Sequence, residues 1–550
     1  MYLTRVSQRL QIILIYTLVI FVHLCVSTPL PNVPHRHKTS SNMSIKYGVL
    51  KNVGSSWFGV ATTLIVGILL PPLILHRLGD EAFGLWILIF SFTGFYGIFD
   101  LGIRSSIVKH VAEFEATGEH DQLNRLVNVS LFVYTCIAVA LLVAVGIGSV
   151  YVNSVFHISF SLQKTARVLF LMVGSGVALG FPLTVFAGIL EGLQKYYLLN
   201  ITQAVAVVLR ALLIVFVLSH GMGILSVALI TVTLPLLCYM TYAWRVLHTV
   251  PLKFGIRFLS RSTFRKSFDY GLFSFISSVA FRLRFQADAI VIGAMLSASA
   301  ITYFSIASKL IDYPFLLVGG LIQFIPPISS QYNATGNNNR LRKLFVLGNR
   351  ACALIVFPIS AMLWILGKSV IDVWVGARYE SSYVILMVLL VPTVLADIQA
   401  SSRQVLLGIG RHKVMALVHV GEGVANLILS VILIRYLGVI GVALGTAIPL
   451  ALTSLFFLPF YSCRILQVPL KEFLREAYLL PCLLCAPLVA ALLFTRSLMS
   501  AHNLSQLLVQ ATVGGLVYGI AVVGWFLVRE PMGIESRTKL KLFVLQAFSR

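Results

Sequence analysis

Eight ionisable residues fall inside apolar stretches: Arg210, Arg282, Arg284, Asp288, Lys309, Asp312, Asp397 and Glu422. An ionisable side chain near a bilayer centre costs about 2.5 kcal/mol or more, so it faces a cavity or a partner. Arg210 sits ten residues into its stretch, roughly 15 Å deep at about 1.5 Å per residue. Arg284 and Asp288 are four apart and Lys309 and Asp312 three apart, so each pair shares a helical face and can neutralise itself. Arg282 and Arg284 beside a single aspartate leave positive charge over. That excess suits capture of an anion, because a guanidinium fork donates two parallel hydrogen bonds to a phosphate. Arg210, Arg282, Arg284 and Lys309 are therefore the candidate phosphate contacts. Asp288, Asp312, Asp397 and Glu422 are the candidates for carrying a coupling proton or sodium ion. Arg403 lies near the end of its stretch, where it can snorkel. The competing reading makes these pairs salt bridges that only fix packing.

The elements that hold these residues are membrane helices. Of 550 residues 58% are hydrophobic and 11% charged, and the mean hydropathy is +0.92, which excludes an ordinary soluble protein. The apolar runs are helix-length rather than the ten-residue alternations of a barrel. They read as fourteen spans, from 57–76 and 84–103 through 271–296 and 300–327 to 477–495 and 506–528. The net charge of +23 concentrates in loops on the side of Met43–Trp57, with the basic segment from Arg245 to Lys266 as its strongest anchor. Retained positive charge marks that side as cytoplasmic, with both ends of the helical unit there, and accounts for the charge through lipid contact without nucleic acid.

The chain also repeats itself. Gly192-Leu193-Gln194-Lys195 returns 216 residues later as Gly408-Ile409-Gly410-Arg411. Gly223, Val227-Ala228-Leu229 and Thr231 return 215 later as Gly438, Val442-Ala443-Leu444 and Thr446. Two like halves suggest lobes that rock around a central site. Residues 43–245 read as an N-lobe, 246–270 as a basic cytoplasmic linker and 271–465 as a C-lobe. Residues 466–550 read as two further helices with a basic tail. Prolines within spans, among them Pro71-Pro72, Pro314, Pro358 and the matching Pro235 and Pro449, each remove an intrahelical hydrogen bond.

Residues 1–42 carry Arg5 and Arg9 before an apolar run from Leu10 to Val26, the pattern of a signal segment or an extra anchor. Inserted in the usual sense, that run would invert every later loop against the charge rule. Translation from Met43, insertion of the run with its N-terminus outside, or a run that does not span each removes the conflict, and the first is the favoured reading. The stretch from Arg104 to Arg125 reads as an amphipathic surface helix or a solvated connector. Cys482 and Cys485 have redox or metal spacing but no partner pair, so they read as apolar filling, and no metal or cofactor is expected.

Leu78-Gly79-Asp80-Glu81-Ala82-Phe83-Gly84-Leu85-Trp86, then Asp100-Leu101-Gly102 and Val108-Lys109-His110-Val111-Ala112-Glu113, resembles the N-terminal pattern of bacterial Wzx-like polysaccharide flippases. These belong to the multidrug/oligosaccharidyl-lipid/polysaccharide exporter superfamily. Asp269-Tyr270-Gly271, the run from Asp288 to Gly293 and the run from Tyr303 to Leu310 are similar to the start of that family's second lobe. The resemblance covers roughly residues 45–530. It implies two six-helix lobes plus two C-terminal helices and alternating access around a cavity. The substrate it implies is an undecaprenyl-pyrophosphate-linked oligosaccharide, carried across the bacterial cytoplasmic membrane for surface polysaccharide biosynthesis. Polymerase and chain-length proteins of the same pathway are the partners it suggests. The Asp100 segment beside Arg104 also fits a helix terminus with its own ion pair.

The alternatives are an ion-coupled multidrug exporter of the same superfamily and a membrane polysaccharide polymerase or ligase. The density of intramembrane arginine favours an anionic headgroup over a cationic drug. An enzyme of the second kind needs a substantial outer loop, and the largest here span about 151–167 and 368–382. The chain has no GxxxxGK[ST], HExxH or GxSxG motif.

Overall fold

The computed structural model describes residues 41–96, 100, 103–260, 264, 287–499, 501 and 503–529. Residues 1–51 and 52–550 form separate compact units, and the second holds every helix named here apart from the beginning of α1. Its regular structure, among the described residues, is helical. The first half comprises α1 (Ser41–Leu78), α2 (Asp80–Tyr96), α3 (Ile103–Thr117), α4 (His120–Val155), α5 (Gln163–Gly192), α6 (Tyr196–Ser219) and α7 (Ile224–Thr249). The second comprises α8 (Ala298–Ile322), α9 (Ile325–Ala334), α10 (Asn338–Val375), α11 (Ser382–Asp397), α12 (Ala400–Gly408), α13 (His412–Leu437), α14 (Val439–Leu452) and α15 (Leu458–Leu466). Then come α16 (Leu470–Leu474), α17 (Leu480–Leu498) and α18 (Leu504–Arg529).

Twelve described helices are long and apolar enough to cross a membrane. The protein is thus an all-helical, multi-pass membrane protein. Two of the fourteen expected spans are not in this set. The span expected at 84–103 is represented by α2, which has 17 residues and so reaches only about 25 Å. The span expected at 271–296 lies mostly outside the described residues, of which 287–295 are helical. Apolar side chains such as Leu69, Leu212, Leu417 and Ile520 are exposed, as a surface bathed in lipid requires.

The repeated turns are alike in backbone as well as in sequence. Gln194 (φ 57°) and Gly410 (φ 81°) are both left-handed. The amides of Lys195 and Arg411 return to the carbonyls of Leu190 and Leu406, each at 2.9 Å. A short helix docks on each turn. A Cβ on Gly192 would stand 2.7 Å from Val111 of α3, and one on Gly408 would stand 2.5 Å from the Pro326 carbonyl of α9. The 104–125 stretch is accordingly no solvated connector: α3 buries Ile103, Ile107 and Val111.

Among the described residues the apolar core joins both halves around the Asp80 loop and falls into separate clusters elsewhere. Around the loop at Asp80, buried side chains from both halves join one cluster: Leu88, Val173 and Val227 with Ile301, Leu386 and Val442. Towards the opposite end the clusters of described residues are separate. Ile107, Leu126, Val185 and Tyr242 form one within the first half. Leu406, Met415 and Leu458 form another within the second.

Candidate functional site

Two cations from different halves lie within electrostatic reach of each other. Arg210 on α6 and Lys309 on α8 are each half-buried, and Asp312, one turn beyond Lys309, is exposed. Lys309 interacts electrostatically with both Asp312 and Arg210. Among the described residues none of the three makes a contact ion pair, so the expected Lys309–Asp312 bridge is a through-space attraction only. Pro314 lies just beyond and deprives the Leu310 carbonyl of its amide partner, which lets α8 bend beside the pair. Arg282 and Arg284 lie outside the described residues.

A second group is buried in the second half. Asp288 accepts from Asn426 Nδ2 at 3.3 Å and from Thr446 Oγ1, which lies 3.2 and 3.1 Å from its two carboxylate oxygens. Ser430 donates to Asn426 Oδ1 at 2.8 Å and reaches the Val442 carbonyl at 3.4 Å. Small residues make this possible. A Cβ on Gly441 would approach the Leu433 carbonyl to 2.3 Å and one on Gly445 the Ser430 amide to 2.6 Å. A Gly-xxx-Gly stripe of this kind lets two helices touch along their backbones. The result is an oxygen-rich nest around one carboxylate, which suits a proton or a small hard cation better than a transition metal. Among the described residues no cluster of three or more His, Cys, Asp or Glu side chains could hold a metal ion.

Glu422 lies one turn before Asn426 on α13. It contacts His419 at 3.2 Å and accepts from Thr453, the first residue of a π-helical turn, Thr453–Phe457. Such wide turns recur at functional sites. Asp397 is buried where α11 gives way to α12. Arg403 beside it does not snorkel: its Nη2 donates to the Ala396 carbonyl at 2.7 Å. The sequence marks the carboxylates but not their partners His419, Asn426, Ser430, Thr446 and Thr453. The usable signal is Glu422, Asn426 and Ser430 at successive i, i+4 positions of an otherwise apolar helix.

The third feature is a clasp between the halves. Asp80 Oδ2 accepts from Arg378 Nη2 at 3.0 Å and Ser299 Oγ at 2.8 Å, and its carbonyl accepts from Thr302 Oγ1 at 2.7 Å. Gly84, one turn on, lies so close to α8 that a Cβ would fall 1.7 Å from the Ala298 carbonyl. The run Leu78–Trp86 is thereby explained. Gly79 (φ 83°) makes the turn, Asp80 bonds across the seam, and Gly84 permits the approach. Arg104 is a correction. Its contact ion pair is with Glu191 on α5 at 2.6 Å, while Asp100 accepts from Tyr134 and attracts Arg104 through space.

Comparison with known proteins agrees with this architecture. The profile of the family described as "polysaccharide biosynthesis protein" matches residues 49–333. A putative O-antigen transporter of Shigella flexneri is 22% identical over 415 residues, 74% of this chain and 96% of that protein. Among solved structures, the lipid II flippase MurJ in an inward closed conformation superposes with a TM-score of 0.67 at 16% identity. It covers 87% of this chain and 99% of that one. An inward-facing multidrug resistance MATE family transporter of the MOP superfamily gives 0.63 at 16% identity, covering 75% and 96%. At these identities the structural likeness speaks for the fold.

Proposed function

Because the chain belongs to the polysaccharide biosynthesis protein family, a transporter family rather than an enzyme family, we propose that it flips a lipid-linked oligosaccharide across the cytoplasmic membrane. The substrate of this reading is a polyprenyl-pyrophosphate-linked oligosaccharide of the undecaprenyl type, destined for O-antigen, capsule or exopolysaccharide. The relative named an O-antigen transporter supports the class. The observation that carries the proposal is that Arg210 and Lys309, one from each half, feel each other's charge while neither makes a contact ion pair among the described residues.

In this reading two six-helix lobes, followed by two C-terminal helices, rock about that pair. With the basic end as the cytoplasmic side, the seam is sealed at the outer end by the Asp80 clasp and the shared core. The headgroup enters from the inside, where the cores are separate, and its diphosphate docks on Arg210 and Lys309 while the polyprenyl tail stays in lipid. Arg282 and Arg284 are proposed to add to the same anion site. No bond of the substrate breaks. Parting of the clasp then exposes the headgroup outside.

The nest around Asp288 is proposed as the coupling site. One proton or one sodium ion there neutralises a carboxylate whose described partners are uncharged. Asp312, Asp397 and Glu422 remain secondary candidates for the same role. Deleting the gene tests the proposal in the cell. Finished lipid-linked units trapped on the inner leaflet, with loss of surface polymer, are the expected result. Normal polymer together with new drug sensitivity would instead favour the multidrug-exporter reading.

A further inference from the structure

Each half carries a cavity at the equivalent place, and the two have been given different chemistry. The first, of about 350 Å³, is lined by Glu115 of α3, by Gln194 and Lys195 of the repeated turn and by Thr249 and Val250 at the end of α7. The second, of about 400 Å³, is lined by Asn333 of α9, by Arg411 of the corresponding turn and by Gln467 just past α15, with Asn338 and Arg342 of α10. One acid and one base line the first. Two arginines and three amide side chains line the second, with no acid among them.

The second cavity is built rather than incidental. Arg342 is half-buried, and its Nε donates to the Leu466 carbonyl at 2.8 Å while Nη2 donates to Gln467 Oε1 at 2.9 Å. Two of five guanidinium donors fix its plane, and three remain for another acceptor. Gln194 and Gln467 are the non-glycine residues with positive φ among those described, and each lines one of the two cavities. A left-handed non-glycine residue is strained and persists where the surroundings enforce it. The volume is at the lower end of what small-ligand sites use, roughly 300–1,000 Å³.

We propose that this second cavity binds a phosphate group, held between Arg342 and Arg411 and oriented by the amides of Asn333, Asn338 and Gln467. Planar guanidinium forks recognise phosphate oxygens, and neutral amides can serve either its oxygens or attached hydroxyls. The site is separate from the Arg210–Lys309 pair and stands whether or not the chain flips a lipid. The phosphate can belong to an anionic lipid headgroup or to a soluble phosphate compound.

The test uses the full-length chain carrying Arg210→Gln, Arg282→Gln, Arg284→Gln and Lys309→Gln, so that the proposed central cations do not contribute. Binding of sodium pyrophosphate, dioctanoyl phosphatidylglycerol and the phosphate-free dioctanoylglycerol is measured by native mass spectrometry and thermal shift. Saturable binding of either anionic probe is expected, weakened at least tenfold by Arg411→Gln and unchanged by Lys195→Gln in the sister cavity. Arg411 is exposed, so its variant tests the site without the folding risk attached to Arg342. Preference for phosphatidylglycerol identifies a lipid headgroup and preference for pyrophosphate a soluble source, and either supports the site. No saturable binding, binding that Arg411→Gln leaves unchanged, equal loss in Lys195→Gln, or equal binding of the phosphate-free dioctanoylglycerol would overturn it.

Discussion

The phenol of Tyr313 donates a 2.8 Å hydrogen bond to the carbonyl of Gly67. That is the acceptor which Pro71, four residues on and without an N–H, leaves unserved in α1. The next carbonyl, Ile68, is orphaned in the same way by Pro72 and receives Trp374 Nε1 at 2.7 Å. In the second half Pro358 orphans Leu354, which receives Tyr518 at 2.7 Å. Prolines in these helices therefore create acceptors, and aromatic donors from distant helices use them. Two of the three bonds tie α1 to helices of the second half.

Removing one such bond should loosen the seam in proportion to its worth. A side-chain hydrogen bond within a membrane protein contributes roughly 0.6–1.7 kcal/mol. Tyr313→Phe is expected to lower the ratio of closed to open seam by about three- to eighteenfold on that scale. Spin labels at Phe160 and Tyr436, both exposed and on different halves, report the distance distribution. An unchanged distribution would show that the bond does not hold the seam.

Gly84→Val should do more. A Cβ placed 1.7 Å from the backbone oxygen of Ala298 cannot be absorbed by a side-chain rotation. The helices α2 and α8 must separate, so the same labels should show a wider, open-shifted distribution in folded protein. A variant that keeps the wild-type distances would contradict the packing described.

Asp80 and Arg378 differ in weight although they are partners. Arg378 is 69% exposed, and such a pair is screened and entropically costly to hold. Asp80 also accepts from Ser299 and, through its backbone, fixes Thr302. Asp80→Ala is expected to disrupt seam closure clearly and Arg378→Ala hardly at all, in the label distances and in transport. Equal effects would mean that the ion pair itself is what closes the seam.

Asp288→Asn keeps the size and hydrogen-bonding shape of the buried side chain while removing its charge. It should fold, as judged by a monodisperse size-exclusion profile, and lose any proton or sodium dependence of transport. Thr446→Val should weaken that dependence less, because one donor of the nest is lost and the carboxylate stays. A transport rate in Asp288→Asn that still follows the ion gradient would exclude this coupling site.

Much of this architecture is legible in the chain because lipid imposes simple rules. Apolar length gives the spans, and a charge within a span stands out against its surroundings. Gly192 and Gly408 can be matched because no larger residue fits beneath α3 and α9. What stays hidden is what depends on partners far along the chain. Asn426, Ser430 and Thr446 are neutral residues in apolar helices, and only the approach of α13 and α14 at Gly441 and Gly445 turns them into a nest. Asp80 looks like a helix-start residue until Ser299 and Arg378 are seen across the seam. Arg104 makes its contact pair with Glu191, 87 positions away, and is attracted by the nearby Asp100 only through space.

Arg210 and Lys309 are proposed to carry a lipid diphosphate across the bilayer together, and that cooperation can be read in a purified system. Proteoliposomes are loaded with a fluorescent polyprenyl-pyrophosphoryl oligosaccharide, and its accessibility in each leaflet is followed with a membrane-impermeant quencher. The wild-type chain is expected to transfer the lipid, Arg210→Gln and Lys309→Gln each to do so at least tenfold more slowly, and the double variant to lose nothing further. Wild-type rates in both single variants, with folding verified, would contradict the proposal.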